Sequence, residues 1–367
     1  MASSTNIPPE IIEIILLKLS SVKSVLRFKT VCKSWNTIIS DPVFVRNHLE
    51  NSPNNLFLSK QRPRIEGGYP LFKLEGRKFH AADAVPIPST TNSNSIPYET
   101  VLCECNGVLL LGSSRFDYSE KHVLWNPSTR REIYFECPYA YSRTCTQNRG
   151  ICYDRLTDDI KVVWITDKHY AIYSCKNNSW SEKKLGIEYR GFFEGIFVDG
   201  ATYWVLRDDK YTIQIVYFDP RTDELKGLQK PEQLNSDCDL TISVACLREN
   251  MCLYSVSGEG DDDMLRFRIW RKEKGIDAGG NPNWEELLTF EIRKPRDWWL
   301  GVLCFVENKI LIRLDENTFV YYSPSEKTFE EIDGTETHNL YSTCCSELVQ
   351  YRNSLYFPLQ TETRSIS

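Results

Sequence analysis

The sequence has few of the residues that bind metals or perform catalysis. It contains only five histidines, and no two stand at helical ligand spacing or beside a cysteine pair. No glycine-rich phosphate loop follows a predicted strand, and Ser257 lacks the flanking glycines of a nucleophile elbow. The run Asp261-Asp262-Asp263 lacks the glycine and distant glutamate of a calcium loop. We therefore predict no metal, no cofactor and no catalytic residue.

A surplus of positive charge and long apolar runs are also missing. The net charge of −6 offers no basic footprint for a phosphate backbone, so nucleic acid is not an expected partner. No apolar run approaches the ~20 residues that span a membrane. Glu10 and Glu13 stand where a secretory signal needs a basic start and an unbroken apolar run. The sequence predicts a soluble protein of the cytoplasm and/or nucleus that needs no membrane.

The thirteen cysteines do not form a pattern typical of disulfides. Their number is odd and their spacing is irregular. Several lie inside apolar runs, where a reduced thiol acts as a small core residue: Cys152, Cys246, Cys252 and Cys304. We expect reduced thiols, in agreement with an intracellular compartment.

The first fifty residues combine a short length with many apolar side chains. Pro8 and Pro9 suit the first turn of a helix. The apolar residues that follow form one stripe at helical spacing: Ile11, Ile12, Ile15, Leu16 and Leu19. Ser20 or Ser21 can cap a second helix, and Asp41-Pro42 is a typical helix start. The segment is predicted to fold into three or four short helices.

A helical unit of about 40 residues seldom buries enough surface to stand alone. Its excess apolar surface needs cover, either from the rest of the chain or from the groove of a partner protein. The residues by themselves leave both alternatives open.

Several motifs in this segment occur together and in one register. They are IP at 7–8 (where Leu-Pro is usual), SVKS at 21–24 (where Pro-Val-Lys-Ser is usual), VCKSW at 31–35 and ISDP at 39–42. With these motifs, residues 5–49 resemble an F-box, the module that attaches substrate receptors to the Skp-family adaptor of cullin-RING ubiquitin ligases. The resemblance implies these adaptor-binding residues: Ile7, Pro8, Ile11, Ile12, Ile15, Leu16, Leu19, Val22, Leu26, Val31, Cys32 and Trp35.

From about residue 101 the chain repeats a unit of strands and turns. Examples of its first strand are NGVLLL and DIKVVWI, and its second turns recur every 42 to 52 residues, at Asn126, Asn177, Asp219, Arg271 and Ser323. Such a period predicts a β-propeller. Five copies are visible, and the tryptophans on or beside these strands should pack between blades: Trp125, Trp164, Trp180, Trp204 and Trp270.

A sixth blade is predicted from the two ends of the repeat region. The strand at 352–358 should pair with strands at 56–59 and 71–79, which would leave no open sheet edge. Six blades are the preferred number, and a seventh remains open because region 136–150 has room for extra strands. A β-sandwich would explain the strands but not their repetition.

The repeat region carries a second set of motifs: CNGVLL at 105–110, LWNPSTR at 124–130 and DGATYW at 199–204. With them it resembles the F-box-associated, kelch-like domain of plant receptors, although a kelch diglycine after a strand is absent. The predicted fold class is a small all-α head followed by an all-β propeller. The predicted domains are the head at 5–49, a linker at 50–55, the propeller at 56–360 and a disordered tail at 361–367.

The two resemblances imply a non-catalytic substrate receptor of an SCF-type ligase. It would bind a Skp-family adaptor, through it a cullin and a RING protein, and an unidentified protein target. Two clusters rich in Trp, Tyr and Arg are candidate target contacts: Tyr139, Tyr141, Arg143, Arg296, Trp298 and Trp299. The alternatives are a propeller enzyme acting on glycans and an F-box protein that works with its adaptor outside a ligase.

Overall fold

A computed structural model shows four helices followed by a β-propeller. The structure describes these residues: 7–19, 21–52, 56–60, 68–85, 88, 100–112, 121–138, 148–190, 194–210, 212–234, 239–258, 263–276, 281–294, 300–315, 318–333 and 348–358. The predicted tail at 361–367 and the six candidate target contacts lie outside the described residues.

The four helices form the head. They are α1 (Pro9–Leu17), α2 (Val22–Phe28), α3 (Lys33–Ser40) and α4 (Pro42–Glu50). Two predicted caps are confirmed, because Ser21 accepts a hydrogen bond from the Ser24 amide at 3.4 Å and Asp41 accepts one from the Val43 amide at 2.7 Å. These caps satisfy backbone donors that the first helical turn leaves unpaired. Among the described residues, no helix is long and apolar enough to cross a membrane.

The strands form six sheets, each of which is one blade. Blade 1 contains β1 (Leu56–Ser59), β2 (Tyr69–Glu75) and β3 (Lys78–Val85), and blade 2 contains β4 (Thr100–Cys105), β5 (Val108–Gly112), β6 (Lys121–Asn126) and β7 (Arg131–Glu136). Blade 3 contains β8 (Asn148–Asp154), β9 (Asp159–Ile165), β10 (His169–Ser174) and β11 (Ser179–Lys184). Blade 4 contains β12 (Tyr189–Arg190), β13 (Ile196–Val198), β14 (Ala201–Asp208), β15 (Ile213–Asp219) and β16 (Glu224–Leu228).

The last two blades complete the ring. Blade 5 contains β17 (Asp239–Leu247), β18 (Asn250–Ser257), β19 (Met264–Lys272) and β20 (Trp284–Arg293), and blade 6 contains β21 (Gly301–Val306), β22 (Lys309–Arg313), β23 (Phe319–Ser323) and β24 (Thr328–Ile332). The final strand, β25 (Leu348–Tyr351), returns to blade 1 and pairs antiparallel with β1, Leu56 opposite Tyr351. The preferred number of six blades is confirmed.

The closing strand lies earlier in the chain than the sequence predicted. Closure of blade 1 by both chain ends is right, but the pairing strand is β25 at 348–351, and the predicted strand at 352–358 is wrong. The predicted piece at 71–79 is a hairpin, since Gly76 and Arg77 form a turn between β2 and β3. Residues 352–358 instead lie outside the sheets.

The core consists of six apolar clusters, one between each pair of neighbouring blades. Trp125, Trp204 and Trp270 are fully buried in three of these clusters, as predicted. Trp164 is buried beside Cys137, and Trp180 is partly buried against blades 2 and 3. Blades therefore hold together by side chains that fill the space between sheets.

The propeller has two faces, which can be distinguished by the direction of the strands. One face carries the end of β25, the beginning of β1 and two turns, Asn106-Gly107 and Arg248-Glu249. We call it the head face. On the other, the distal face, β4, β8 and β21 begin. At the distal end of the axis, the Lys60 ammonium lies 2.6 Å from a Glu194 carboxylate oxygen and joins blade 1 to blade 4.

Candidate adaptor-binding surface of the head

The head has a small core of its own. Leu16, Val25, Ile39 and Phe44 are buried at its centre, one from each of the four helices. Phe28 and Trp35 pack against this core with their rings edge to face, 5.2 Å between centroids. Such a core is small, so much of the apolar surface of the head stays outside it.

The uncovered part is a set of aliphatic side chains. Eleven large apolar side chains are exposed among the described residues, and six belong to the head: Ile7, Ile11, Ile14, Ile15, Val31 and Val43, each between 46% and 58% exposed. Four of the six lie on α1 or just before it. We call the set around α1 the α1 surface (Ile7, Ile11, Ile14 and Ile15). The propeller leaves it uncovered, so an apolar partner can bury it.

The structure places the predicted adaptor-binding residues in three groups. Exposed residues are Ile7, Pro8, Ile11, Ile15, Val31 and Cys32. Partly buried residues are Ile12, Leu19, Leu26 and Trp35. Leu16 and Val22 are buried, at 0% and 3% exposure, so in this conformation their side chains support the head from within.

Two exposed residues of the head were missed. Ile14 lies off the main stripe of α1, and Val43 follows Pro42 in the first turn of α4. The signal was present in the sequence, because an isoleucine on the second side of a short helix has no place in a narrow core.

A buried histidine of α4 is hydrogen-bonded to the backbone just after α1. His48 is 1% exposed, and its Nε2 lies 2.9 Å from the carbonyl oxygen of Leu19. Burial lowers the pKa of His48, and the bond to Leu19 opposes that shift. The imidazole is therefore kept neutral, and its Nε2–H donates a hydrogen bond to the carbonyl oxygen.

The head contacts the propeller on blades 2 and 3. Arg46 of α4 lies near the hydroxyl of Tyr153, beside the turn between β8 and β9, and opposes the rise that burial causes in the pKa of Tyr153. Lys29 stands near Arg131, and its pKa is lowered by burial and then by that guanidinium. The head thus lies on the head face, to one side of the axis.

A cavity of about 810 Å³ lies on the same face between blades 5, 6 and 1. Its rim is made of paired charges, since Arg352 binds Glu249 at 2.8 Å and Lys309 binds Glu330 at 2.7 Å. The Arg248 guanidinium lies 4.3 Å from the ring centroid of Phe305. Positive and negative groups balance here, so the cavity shows no preference for a ligand of one charge.

The cysteines that the structure describes are all free thiols. Cys152, Cys252 and Cys304 are buried, as predicted for core thiols, and Cys246 is partly buried. Burial raises the pKa of Cys252 and of Cys304 to about 12. Across the described ranges, no three side chains of His, Cys, Asp or Glu meet in a group that could hold a metal ion.

Comparison with known proteins identifies both parts. The family model "F-box associated beta propeller domain" matches residues 82–356, and the model "F-box-like" matches residues 5–50. An F-box/kelch-repeat protein of Arabidopsis thaliana is 26% identical over 272 residues, covering 68% of this chain and 71% of that one. A putative F-box/kelch-repeat protein of the same plant is 22% identical over 315 residues, covering 78% and 71%.

A helical head with uncovered apolar surface, fixed to a six-bladed propeller, defines a two-part adaptor protein. The chain belongs to the family of plant F-box proteins that carry an F-box associated beta propeller domain. Membership supports binding of a Skp-type adaptor by the head and a substrate-adaptor role for the whole chain.

Proposed function

We propose that this chain is the substrate-recognition subunit of an SCF-type ubiquitin ligase. The head binds a Skp-family adaptor and through it a cullin and a RING protein, and the propeller holds a protein target for ubiquitination and degradation. The site of action is the cytoplasm and/or nucleus. The chain contributes proximity, because a held target reacts as if it were highly concentrated.

The observation that carries this proposal is the α1 surface. Its four isoleucines are about half exposed in the chain alone. Burying the exposed half of one isoleucine contributes roughly 1 kcal/mol, half the value for full burial. Lys23, Arg27 and Lys33 add exposed positive charge nearby, which would speed the encounter with an acidic adaptor.

The target-binding part of the proposal is supported by the arrangement of the two faces. The head covers blades 2 and 3 on the head face. The connections that contain the six candidate target contacts begin where β7 and β20 end, on the distal face. We propose that a target is held on the distal face, which the head leaves free.

The adaptor assignment is tested with the double variant Ile11→Asp/Ile15→Asp. Both side chains are exposed, so the change spares the core of the head, whereas Leu16→Asp would break that core. We expect capture of a purified Skp-family adaptor to fall at least ~100-fold, since two carboxylates would be buried at the interface. Thermal unfolding of the propeller should stay unchanged.

The control is Leu156→Asp, which also puts a carboxylate in place of an exposed aliphatic side chain, at a leucine 76% exposed on blade 3. It should bind the adaptor as the unchanged chain does. Full adaptor binding by the double variant would refute the assignment. Recovery of cullin with the unchanged chain supports the ligase, and adaptor without cullin supports a role outside it.

A further inference from the structure

The residues after β25 lie between the head and the propeller. We call Arg352–Phe357 the strap. It leaves blade 1 at the head face and passes over blades 2 and 3 beneath the head. Its side chains contact both bodies, since Leu355 packs on the head while Phe357 enters the propeller core.

Polar groups of blade 2 bind the backbone of the strap. The Asn126 side-chain amide is fully buried and donates to the carbonyl oxygens of Ser354 at 3.0 Å and Tyr356 at 2.6 Å. The Ser128 hydroxyl donates to the Asn353 side-chain oxygen at 3.2 Å. Gly107 allows this close approach, because a Cβ there would lie 2.4 Å from the Cβ of Ser354.

Apolar groups of the strap enter the propeller core. Phe357 is buried in the cluster between blades 2 and 3, with the Arg131 guanidinium 5.9 Å from its ring centroid. The Tyr356 ring packs edge to face on Tyr153 of β8, 5.0 Å between centroids. The strap is therefore anchored on the propeller at several points.

The opposite side of the strap contacts the head. Leu355 packs against the cluster of Leu16, Val25, Ile39 and Phe44, so a residue more than 300 positions away contributes to the packing of the head. The Ser52 hydroxyl, just after α4, donates to the Asn353 carbonyl oxygen at 2.9 Å. Lys29 of the head stands near Arg131 of the propeller, and two cations repel each other, so this pair does not hold the head in place.

We propose that the strap fixes the orientation of the head on the propeller, with Leu355 and Asn353 as positioning residues. Leu355 supplies apolar contact with the head, and Asn353 joins Ser52 of the head to Ser128 of the propeller. A rigid junction sets one distance between the α1 surface and any protein held by the propeller. Because the strap directly follows β25, the head can take its fixed orientation only after β25 has closed blade 1.

The first test is amide hydrogen exchange on the whole chain without any partner. Leu355→Asp should raise exchange in α1–α4 at least ~10-fold, since a carboxylate cannot replace the leucine in an apolar cluster. Leu355→Met should restore near-normal exchange, and the exposed control Leu156→Asp should leave the head unchanged. Unchanged exchange in the head, or a rise confined to blades 1–3, would refute the proposal.

The second test measures orientation rather than stability. Fluorophores at Lys18 on the head and Lys184 on β11, both exposed, report the distance between the two bodies by energy transfer. We expect a narrow distribution in the unchanged chain and a broad one in Ser52→Ala, a mild change that keeps the head folded. A narrow distribution in both Ser52→Ala and Leu355→Asp would overturn the positioning role.

The two tests are independent of adaptor binding. The α1 surface lies away from the strap, so Leu355→Met and Ser52→Ala should still capture a Skp-family adaptor. Loss of capture only in Ile11→Asp/Ile15→Asp would separate a failure of the proposed function from a failure of this inference.

Discussion

His48 shows how much the head depends on one buried polar residue. Its imidazole is hydrogen-bonded to the carbonyl oxygen of Leu19, just after α1, and its ring centroid lies 6.1 Å from that of Phe44. A charged imidazole at 1% exposure would lose its hydration, and burial accordingly lowers the pKa of His48.

Mild acid should therefore lower the folding stability of the head. The unfolded chain binds the proton near its ordinary pKa of about 6.5, whereas the folded head binds it only at lower pH. The stability that neutral His48 contributes is fully present above about pH 6.5 and is lost as pH falls toward the folded-state pKa. Amide exchange of α1–α4 at pH 7.5 and pH 5.5 measures this loss. His48→Gln keeps a donor for Leu19 and should lose less stability on acidification; an equal loss would contradict the assignment.

The sequence predicted which residues of the head form its apolar helix stripe, but it did not predict which of them are exposed. The sequence placed Leu16 and Ile15 together in one adaptor-binding set, and the structure buries Leu16 while it leaves Ile15 half exposed. Neighbours on a helix stripe differ in burial because α3 and α4 cover only part of α1. That coverage depends on helix crossing, which periodicity alone does not contain.

At the scale of single elements, the packing of β14 on β8 depends on glycine. Trp204 is fully buried between Gly150 and Gly195, and its Nε1 donates to the Arg149 carbonyl oxygen at 3.0 Å. A Cβ at Gly150 would lie 2.2 Å from Trp204 Cζ2, and one at Gly195 would lie 2.5 Å from Cε2. The indole fills the space that both glycines leave.

Gly150→Ala should destabilise the propeller by about 2 kcal/mol, because the indole or a strand must move to admit the methyl group. Thermal or denaturant unfolding measures the change. Gly186→Ala is the matched control, since a Cβ there meets no atom within 4 Å and should cost nothing. A smaller ring in the double variant Gly150→Ala/Trp204→Phe should recover part of the loss. Full stability of Gly150→Ala would show that the contact can relax freely.

The strands of each blade were not equally predictable. The outer three strands were predictable, because they carry aromatic and β-branched residues in short runs between turns. The inner strands β4, β8 and β13 were not recognised. Glu104 of β4, Gly150 of β8 and Gly195 just before β13 interrupt the usual strand composition. Small or charged residues are needed in these inner strands because of how the blades pack together, which the sequence of a single strand does not reveal.

At the scale of the whole molecule, stability depends on closure of the ring. Blade 1 takes β1, β2 and β3 from the start of the propeller and β25 from near the end of the chain. Without β25, the backbone groups of β1 would face the axis unpaired, and an open edge of this kind invites aggregation. The two ends of the domain are thus held by backbone hydrogen bonds between distant segments.

A chain that stops after residue 347 should fail to form a stable monomeric propeller. We expect aggregates in size-exclusion chromatography and no cooperative thermal transition. A synthetic peptide of residues 348–358 supplies β25 and the strap, and it should restore a monomer by pairing with β1. A scrambled peptide of the same composition is the control. A stable monomer without the peptide would show that blade 1 needs no closing strand.

The sequence by itself determined the two parts of this protein, the two caps at Ser21 and Asp41, the repeated outer strands and the preferred number of six blades. These features depend on local periodicity and turn chemistry, which neighbouring residues carry. The tertiary structure alone decided which strand closes blade 1, which head residues stay exposed, and that Leu355 packs into the head. Contacts between residues hundreds of positions apart leave no local pattern, because they depend on how whole elements meet in space.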